Sequence, residues 1–103
     1  MRWMCNIRAD LPGEWTQAQR DDMVNRENEQ AATLMQRGIL RRIFRIVGQT
    51  SNYSIWETDS PEDLHAALRT LPMFPFQHIT VVPIIKHPVE EHYERTRGPV
   101  PPL

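Results

Sequence analysis

Glu27 is the residue of this chain with the clearest capacity for chemistry, because it is a carboxylate on the apolar side of a predicted helix. Residues 16–37 have the periodicity of one long helix. The apolar stripe of this helix comprises Met23, Val24, Ala31, Leu34 and Met35. Glu27 lies within that stripe, since residues three or four positions apart share a helix face. Burial would raise the pKa of Glu27 toward the range useful to a general base. The alternative is that Glu27 lies at the edge of the stripe and pairs with an arginine.

Arginines on the second predicted strand could bind an anion. Side chains alternate along a strand, so Arg41 and Arg45 are expected on one face and Arg42 on the other. A guanidinium binds a carboxylate through two parallel hydrogen bonds. The same arginines could instead form ion pairs with acids of this chain or of a second subunit, and the pattern leaves both roles open.

Asn52 is a further polar candidate, because it directly follows a predicted turn, Gly48-Gln49-Thr50-Ser51. Asparagine in such a place usually satisfies the backbone of the turn. Its amide could instead donate a hydrogen bond to a carbonyl oxygen on which negative charge develops during a reaction. The sequence alone allows both roles.

Several other kinds of site lack a sequence signal. The four histidines are His65, His78, His87 and His92, and they lack the short spacing of a metal site. The four glycines are scattered, so no phosphate-binding loop is expected. Cys5 is the single cysteine and lies on a predicted strand, outside any nucleophile motif. We therefore expect neither a metal site nor a phosphate-binding loop.

Length and charge limit the class of protein further. The chain has 103 residues, which is the size of one domain, and 40% of them are hydrophobic. A net charge of −1 gives no basic surplus for binding phosphate backbones, so nucleic acid is not an expected partner. No apolar run approaches the length of a membrane helix, and the first residues lack the apolar core of a signal peptide. We expect a cytoplasmic protein with no membrane association.

The elements that must position these residues follow the order β-α-β-β-α-β. The predicted strands are 2–10, 39–47, 52–58 and 76–85, and the predicted helices are 16–37 and 61–71. Thr16 and Gln19 form a potential capping box, and Gly38 is a typical helix stop. Pro83 suggests that the last strand lies at the edge of the sheet or contains a bulge.

This order predicts an α+β, ferredoxin-like βαββαβ fold, with both helices on one face of a four-stranded antiparallel sheet. The other face requires cover, and face-to-face dimerisation of the α/β-barrel type would provide it. Residues 1–88 form the predicted domain. Residues 89–103 are polar and then proline-rich, and we expect this tail to be disordered or to lie against another subunit.

From about residue 11 to residue 88 the chain resembles the muconolactone Δ-isomerase family. The shared residues are Leu11-Pro12, Glu27, Gly38, Arg41, Arg45-Ile46-Val47-Gly48, Asn52-Tyr53-Ser54, Leu64-His65, Leu71-Pro72-Met73-Phe74-Pro75-Phe76 and His87-Pro88. The Leu-Pro-x-Phe-Pro-aromatic block, at its distance from the Asn-Tyr-Ser block, is the most specific part.

The resemblance implies a homo-oligomer built from dimers, a decamer in the family, with no cofactor and a small lactone as substrate. The family moves the double bond of a butenolide with a carboxymethyl arm, and relatives remove chloride from a chlorinated form. Glu27 matches the family's proposed base, and Asn52 a polar pocket residue. Arg41 and Arg45 match arginines, which we interpret as the anion clamp. Thr50 and Phe76 are expected to contact the substrate.

The chain also departs from the family pattern. Leu40 and Phe44 replace tryptophans, and Thr50 replaces a tyrosine near the substrate. These changes leave two alternatives to simple isomerisation open: an isomerase or dehalogenase of a substituted muconolactone, and a non-catalytic oligomeric domain that binds a small acid.

Overall fold

A computed structural model describes all residues, 1–103, and contains one four-stranded antiparallel sheet in the order β2-β3-β1-β4. The elements are β1 (Arg2–Ala9), α1 (Gln17–Gln36), β2 (Leu40–Arg45), β3 (Asn52–Glu57), α2 (Pro61–Arg69), a 3₁₀ turn (Phe74–Phe76), β4 (Gln77–Ile84) and α3 (Pro88–Arg97). The predicted α+β architecture with βαββαβ order is confirmed, and a third helix follows it.

The ends of α1 follow from its sequence. The Thr16 hydroxyl accepts a hydrogen bond from the backbone N–H of Gln19, and the Gln19 side chain accepts one from the backbone of Thr16. Gly38 ends the helix with a φ of 76°, a conformation that costs residues with a Cβ atom. The predicted capping box and helix stop are both confirmed.

The core lies between the helices and one face of the sheet. It comprises Trp3, Cys5, Ile7, Leu34, Leu40, Trp56, Leu64, Ala67, Leu68 and Leu71. The alternation predicted for the first strand is confirmed, because Trp3, Cys5 and Ile7, which share one face, are all buried and the residues between them are not. Burial raises the pKa of Cys5 to about 11, which keeps this thiol neutral and unreactive.

The strand β2 differs from the expected simple alternation. Its pairing with β3 shifts between Leu40 and Arg42, so that Arg41 is an extra residue in a bulge. Beyond the bulge, Ile43 is paired with Ser54 and Arg45 with Asn52. The bulge puts Leu40, rather than Arg41, on the same sheet face as Arg45, and the predicted pairing of Arg41 with Arg45 on one face is wrong.

The second half of the domain follows the predicted pattern closely. Ser60 caps α2 by accepting a hydrogen bond from the N–H of Asp63, and Pro61 occupies the first helical position. Strand β4 pairs only with β1, so Pro83 lies on an edge strand as predicted.

The predicted tail is more ordered than expected. Pro88 begins α3, and the His87 ring accepts a hydrogen bond from the N–H of Val89 at the start of this helix. No residue of α3 is buried, so the segment does not contribute to the core. Disorder, one of the two expectations for this tail, does not describe residues 88–97, because a proline start, acids in the first turn and basic residues in the last turn favour a helix there. The other expectation, contact with another subunit, stays a prediction.

The sheet face opposite the helices exposes apolar side chains. Phe44, Tyr53 and Val82 are 42%, 50% and 56% exposed on this face. Apolar side chains in neighbouring positions on an uncovered sheet are typical of a surface that a partner covers. None of the helices has both the length and the apolar character needed to cross a bilayer.

Candidate active site

A cavity of about 400 Å³ lies between α1 and the covered face of the sheet. Most of its lining is apolar, with contributions from Ile7 on β1, Val24 on α1 and Ile43 on β2. The ionisable residues in the lining are Arg20, Glu27 and Arg45. A mainly apolar cavity with a few polar groups is the usual form of a small-molecule site.

Glu27 reaches this cavity from the middle of α1. One carboxylate oxygen accepts a hydrogen bond from the backbone N–H of Met73 at 2.9 Å, and the other accepts one from the Gln77 side-chain amide at 2.9 Å. No arginine lies within ion-pair distance of Glu27. The structure therefore favours the cavity-facing interpretation of Glu27 over the edge salt bridge.

The surroundings of Glu27 favour a stronger base than an exposed glutamate. Burial raises the pKa of Glu27 above its ordinary value, while the donors on Met73 and Gln77 partly offset this rise. The same two donors fix the orientation of the carboxylate. Glu27 is thus held in one position with its proton affinity increased, which suits proton transfer.

Three other predicted site residues also line the cavity, namely Arg45, Thr50 and Asn52. Arg45 and Asn52 are a register pair of neighbouring strands, so their positions are set by the sheet. One terminal nitrogen of Arg45 donates to the backbone carbonyl of Thr50, which anchors the guanidinium at the turn between β2 and β3. Their roles toward a substrate stay predictions.

Arg41 and Phe76 do not line the cavity. The bulge in β2 turns Arg41 away, and its Nε lies 3.9 Å from a carboxylate oxygen of Glu57 on the surface. Phe76 closes the 3₁₀ turn rather than beginning a strand, and its ring packs edge-on against Trp15 with centroids 5.3 Å apart. Within this chain neither side chain is placed to contact a molecule in the cavity.

Three polar residues of the cavity lining were missed from the sequence, namely Arg20, Asn28 and Gln77. Arg20 precedes Glu27 by seven residues and therefore shares its helix face, a periodicity signal that could have revealed it. Gln77 is 50 positions from Glu27 along the chain, so no local pattern indicates their contact. The side-chain carbonyl oxygen of Gln77 is buried without a hydrogen-bond partner, as is that of Asn52.

The departures from the family pattern have different consequences in space. Leu40 and Thr50 line the cavity, so their size affects the room for a ligand. Phe44 is paired with Tyr53 on the opposite sheet face and does not contact the cavity. Of the three positions that depart from the family pattern, two therefore change the cavity wall, Leu40 and Thr50, and Phe44 does not.

The arrangement can move a proton on an anionic molecule. Glu27 is placed to accept a proton, apolar walls reduce the competition from water, and Arg20 and Arg45 supply positive charge in the lining. Charge that develops on a ligand oxygen is stabilised by such fixed donors.

Comparison with known proteins gives a consistent picture. The family model described as muconolactone delta-isomerase matches residues 1–90. The muconolactone Delta-isomerase of Cupriavidus pinatubonensis is 38% identical over 88 residues, which cover 85% of this chain and 96% of that protein. The muconolactone Delta-isomerase of Rhodococcus opacus is 36% identical over 84 residues, which cover 80% of this chain and 90% of that protein. A crystal structure of muconolactone isomerase superposes with a TM-score of 0.79 at 33% identity, covering 85% of this chain and 92% of that chain.

Proposed function

Because the chain belongs to the muconolactone Delta-isomerase family, we propose that it is a cytoplasmic enzyme converting (+)-muconolactone to 3-oxoadipate enol-lactone with Glu27 as the base. The activity is an isomerisation that transposes a C=C bond in aromatic-compound catabolism. The observation that carries the assignment of Glu27 is its position: a carboxylate in an apolar cavity, held by two donors.

The reaction begins with transfer of a proton from carbon to Glu27. The carboxylate removes the hydrogen of the ring carbon that bears the carboxymethyl arm. The electron pair of that C–H bond moves through the conjugated system to the lactone carbonyl oxygen, giving a furan-like dienolate. Protonated Glu27 then returns the proton to the ring carbon next to the carbonyl, which leaves the double bond shifted by one position. One carboxylate that reaches both carbons can perform both transfers.

The dienolate oxygen requires stabilisation while the proton resides on Glu27. Asn52 and Arg45 lie together on the sheet side of the cavity and are the proposed donors to this oxygen. A donor aimed at a developing oxyanion is worth roughly 3–4 kcal/mol in other enzymes. The apolar side chains of Ile7, Val24 and Ile43 exclude water, which strengthens these interactions.

The direct test is an ultraviolet assay of muconolactone turnover by the wild type and by Glu27→Gln. We expect the variant to lose roughly two to four orders of magnitude in kcat, the usual contribution of general acid–base catalysis. Near-normal turnover by the variant would remove Glu27 from the mechanism. Absence of turnover by the wild type on any butenolide would overturn the proposed function itself.

The two alternatives raised by the sequence are not favoured. The relatives at 30–38% identity share the name muconolactone Delta-isomerase, including two from Acinetobacter lwoffii and one from Pseudomonas aeruginosa. This argues against a non-catalytic acid-binding domain. Chloride release from a 5-chlorolactone, measured beside plain isomerisation, distinguishes a dehalogenase.

The proposed assembly is a homo-oligomer built from dimers, a decamer by resemblance to the family. The exposed Phe44, Tyr53 and Val82 on the open sheet face support an interface there. Light scattering coupled to gel filtration gives the mass directly, and Phe44→Asp should reduce it by breaking contacts on this face. A wild-type protein that runs as a monomer at micromolar concentration would overturn the assembly.

A further inference from the structure

We propose that Arg20 binds the carboxylate of the substrate's arm and thereby selects lactones that carry an acid. This inference rests on the proposed function, since it names the residue that recognises one part of the proposed substrate. It replaces the assignment of the anion clamp to Arg41 and Arg45, because Arg41 lies outside the cavity against Glu57 and Arg45 is the proposed donor to the dienolate oxygen. Three observations carry it: the charge of the cavity, the contacts of Arg20, and its position on α1.

The lining of the cavity carries an excess of positive charge. Two arginines, Arg20 and Arg45, and one acid, Glu27, are its ionisable residues. Neither arginine has an acidic partner within ion-pair distance. One positive charge is therefore left after Glu27 is counted, and a ligand with one carboxylate would balance it.

Arg20 is better placed than Arg45 to hold a carboxylate, because both keep free donors but Arg20 is less exposed. A single terminal nitrogen of Arg20 donates to the backbone carbonyl of Pro12 at 2.7 Å, which fixes the guanidinium and leaves its other donors free. Arg20 is half-buried, whereas Arg45 is exposed and directs one nitrogen at the carbonyls of both Thr50 and Ser51. A carboxylate is held more strongly by a partly desolvated arginine than by an exposed one.

The place of Arg20 on α1 is not explained by helix stability. Arg20 is the fourth helical residue, and a cation near a helix N-terminus is disfavoured by the helix dipole. Seven residues separate it from Glu27, or about 10 Å along the helix at 1.5 Å per residue. Side chains on a helix lean toward its N-terminus, so the Glu27 side chain leans toward Arg20, and both residues line the same cavity. A lactone beneath Glu27 can therefore extend its arm toward Arg20.

The test compares two substrates, muconolactone and its methyl ester, in which the arm has lost its charge. For Arg20→Gln we expect kcat/KM for the acid to fall roughly ten- to a hundredfold, mainly through KM, while the ester is nearly unaffected. Arg20→Lys should recover part of the loss, since it keeps the charge without the planar fork. Arg26→Gln is the matched control, because Arg26 lies on the same helix and pairs with Asp22 at the surface.

Two outcomes would overturn the assignment. Equal loss on acid and ester would show that Arg20 only holds the loop at Pro12, a structural role that melting temperatures would also reveal. Loss of acid selectivity in Arg45→Gln, with selectivity intact in Arg20→Gln, would place the carboxylate site at Arg45 instead.

Binding measurements separate this inference from the proposed function. The probe is the saturated lactone with the same carboxymethyl arm, which cannot undergo the double-bond shift, and its methyl ester. Calorimetry should show acid-selective binding by the wild type, reduced roughly ten- to a hundredfold in Arg20→Gln. This result would support Arg20 even if the wild type turned over no lactone, and unselective binding by the wild type would overturn the inference even if turnover were observed.

Discussion

The side-chain amide of Gln77 donates a hydrogen bond to the Glu27 carboxylate at 2.9 Å, across 50 positions of sequence. The contact joins the first residue of β4 to the middle of α1. It favours the ionised form of Glu27 and so opposes the effect of burial on its pKa. We therefore propose Gln77 as a positioning residue, since it would act through the carboxylate proposed as the base without itself taking the proton.

Replacing Gln77 by methionine should change the pH dependence of the reaction. The substitution removes a donor to ionised Glu27, so the pKa of Glu27 rises further above its ordinary value. The base is then protonated over a wider range, and the acidic limb of the kcat/KM profile moves to higher pH. Activity at alkaline pH should change less than activity at acidic pH. Initial rates across a pH series measure both.

An exposed glutamine provides the control for this prediction. Gln36→Met, at the end of α1, changes the same residue type at a distance from the cavity and should leave the profile in place. An acidic limb that stays at the wild-type position in Gln77→Met would show that the amide does not influence proton transfer.

Glu27→Gln should also change the pH dependence of stability. The pKa of Glu27 is raised in the folded protein, above a value near 4.5 in the unfolded chain. Protonated Glu27 therefore favours folding, and this contribution is complete below the unfolded pKa and is lost as pH rises through the folded pKa. Glutamine stays neutral, so the variant should gain stability relative to the wild type as pH rises from 4 to 8.

Urea denaturation at several pH values measures this difference. Glu29→Gln is the matched control, because Glu29 is an exposed carboxylate on the same helix, and it should show no comparable gain. If the stability of Glu27→Gln relative to the wild type were constant with pH, burial would not raise the pKa of Glu27 in the folded protein. The gain at neutral pH and the loss of turnover together would describe a residue kept for function at a cost in stability.

The sequence predicts the local features of the site and not the contacts between distant elements. Helical periodicity was enough to place Glu27 on an apolar face, and capping chemistry at Thr16 and Gly38 gave the ends of α1. These signals are read within a few residues. The donors to Glu27 come from Met73 and Gln77, which only the folded chain brings near.

The error at Arg41 has a specific physical reason. A bulge adds one residue to a strand, so residues on one side of the bulge point to the opposite face from the one that simple alternation predicts. Neither Arg41 nor its neighbours are glycine or proline, so no residue type in the sequence indicates the bulge. Alternation alone therefore placed Arg41 beside Arg45. Phe76 was misplaced for a related reason, since a 3₁₀ turn precedes β4 and directs the ring toward Trp15.

Gly38 should tolerate no side chain without a loss of stability. Its φ of 76° lies in the left-handed region, where a Cβ atom costs roughly 1–2 kcal/mol. The space beside Gly38 is open, since an added Cβ would have the Arg41 guanidinium as its nearest neighbour at 3.8 Å, so the cost of Gly38→Ala is conformational. Gly13→Ala is the control, because Gly13 has no positive φ and no neighbour within 4 Å of an added Cβ.

Thermal denaturation at one protein concentration distinguishes these two glycines. Each kcal/mol corresponds to about 4–8 °C for a domain near this size. Gly38→Ala should lower Tm by that order, whereas Gly13→Ala should leave Tm unchanged or raise it, because alanine restricts the unfolded chain. A stable Gly38→Ala would mean that the end of α1 can adopt another conformation.

Thr50 should control the size of substituent that the cavity accepts. Its side chain lies at the exposed rim, so Thr50→Tyr can be made without disturbing the core, and the added ring reduces the space beside Leu40 and Arg45. A methyl group that no longer fits a pocket typically changes kcat/KM by roughly 10–200-fold. We therefore expect Thr50→Tyr to lower kcat/KM for a methyl-substituted muconolactone at least tenfold more than for muconolactone itself.

Both substrates are assayed on the same enzyme preparation, so loss of folded protein cancels in the ratio. An unchanged ratio would show that the wall at Thr50 does not set specificity, and Leu40, the other altered position in the lining, would be the next to vary.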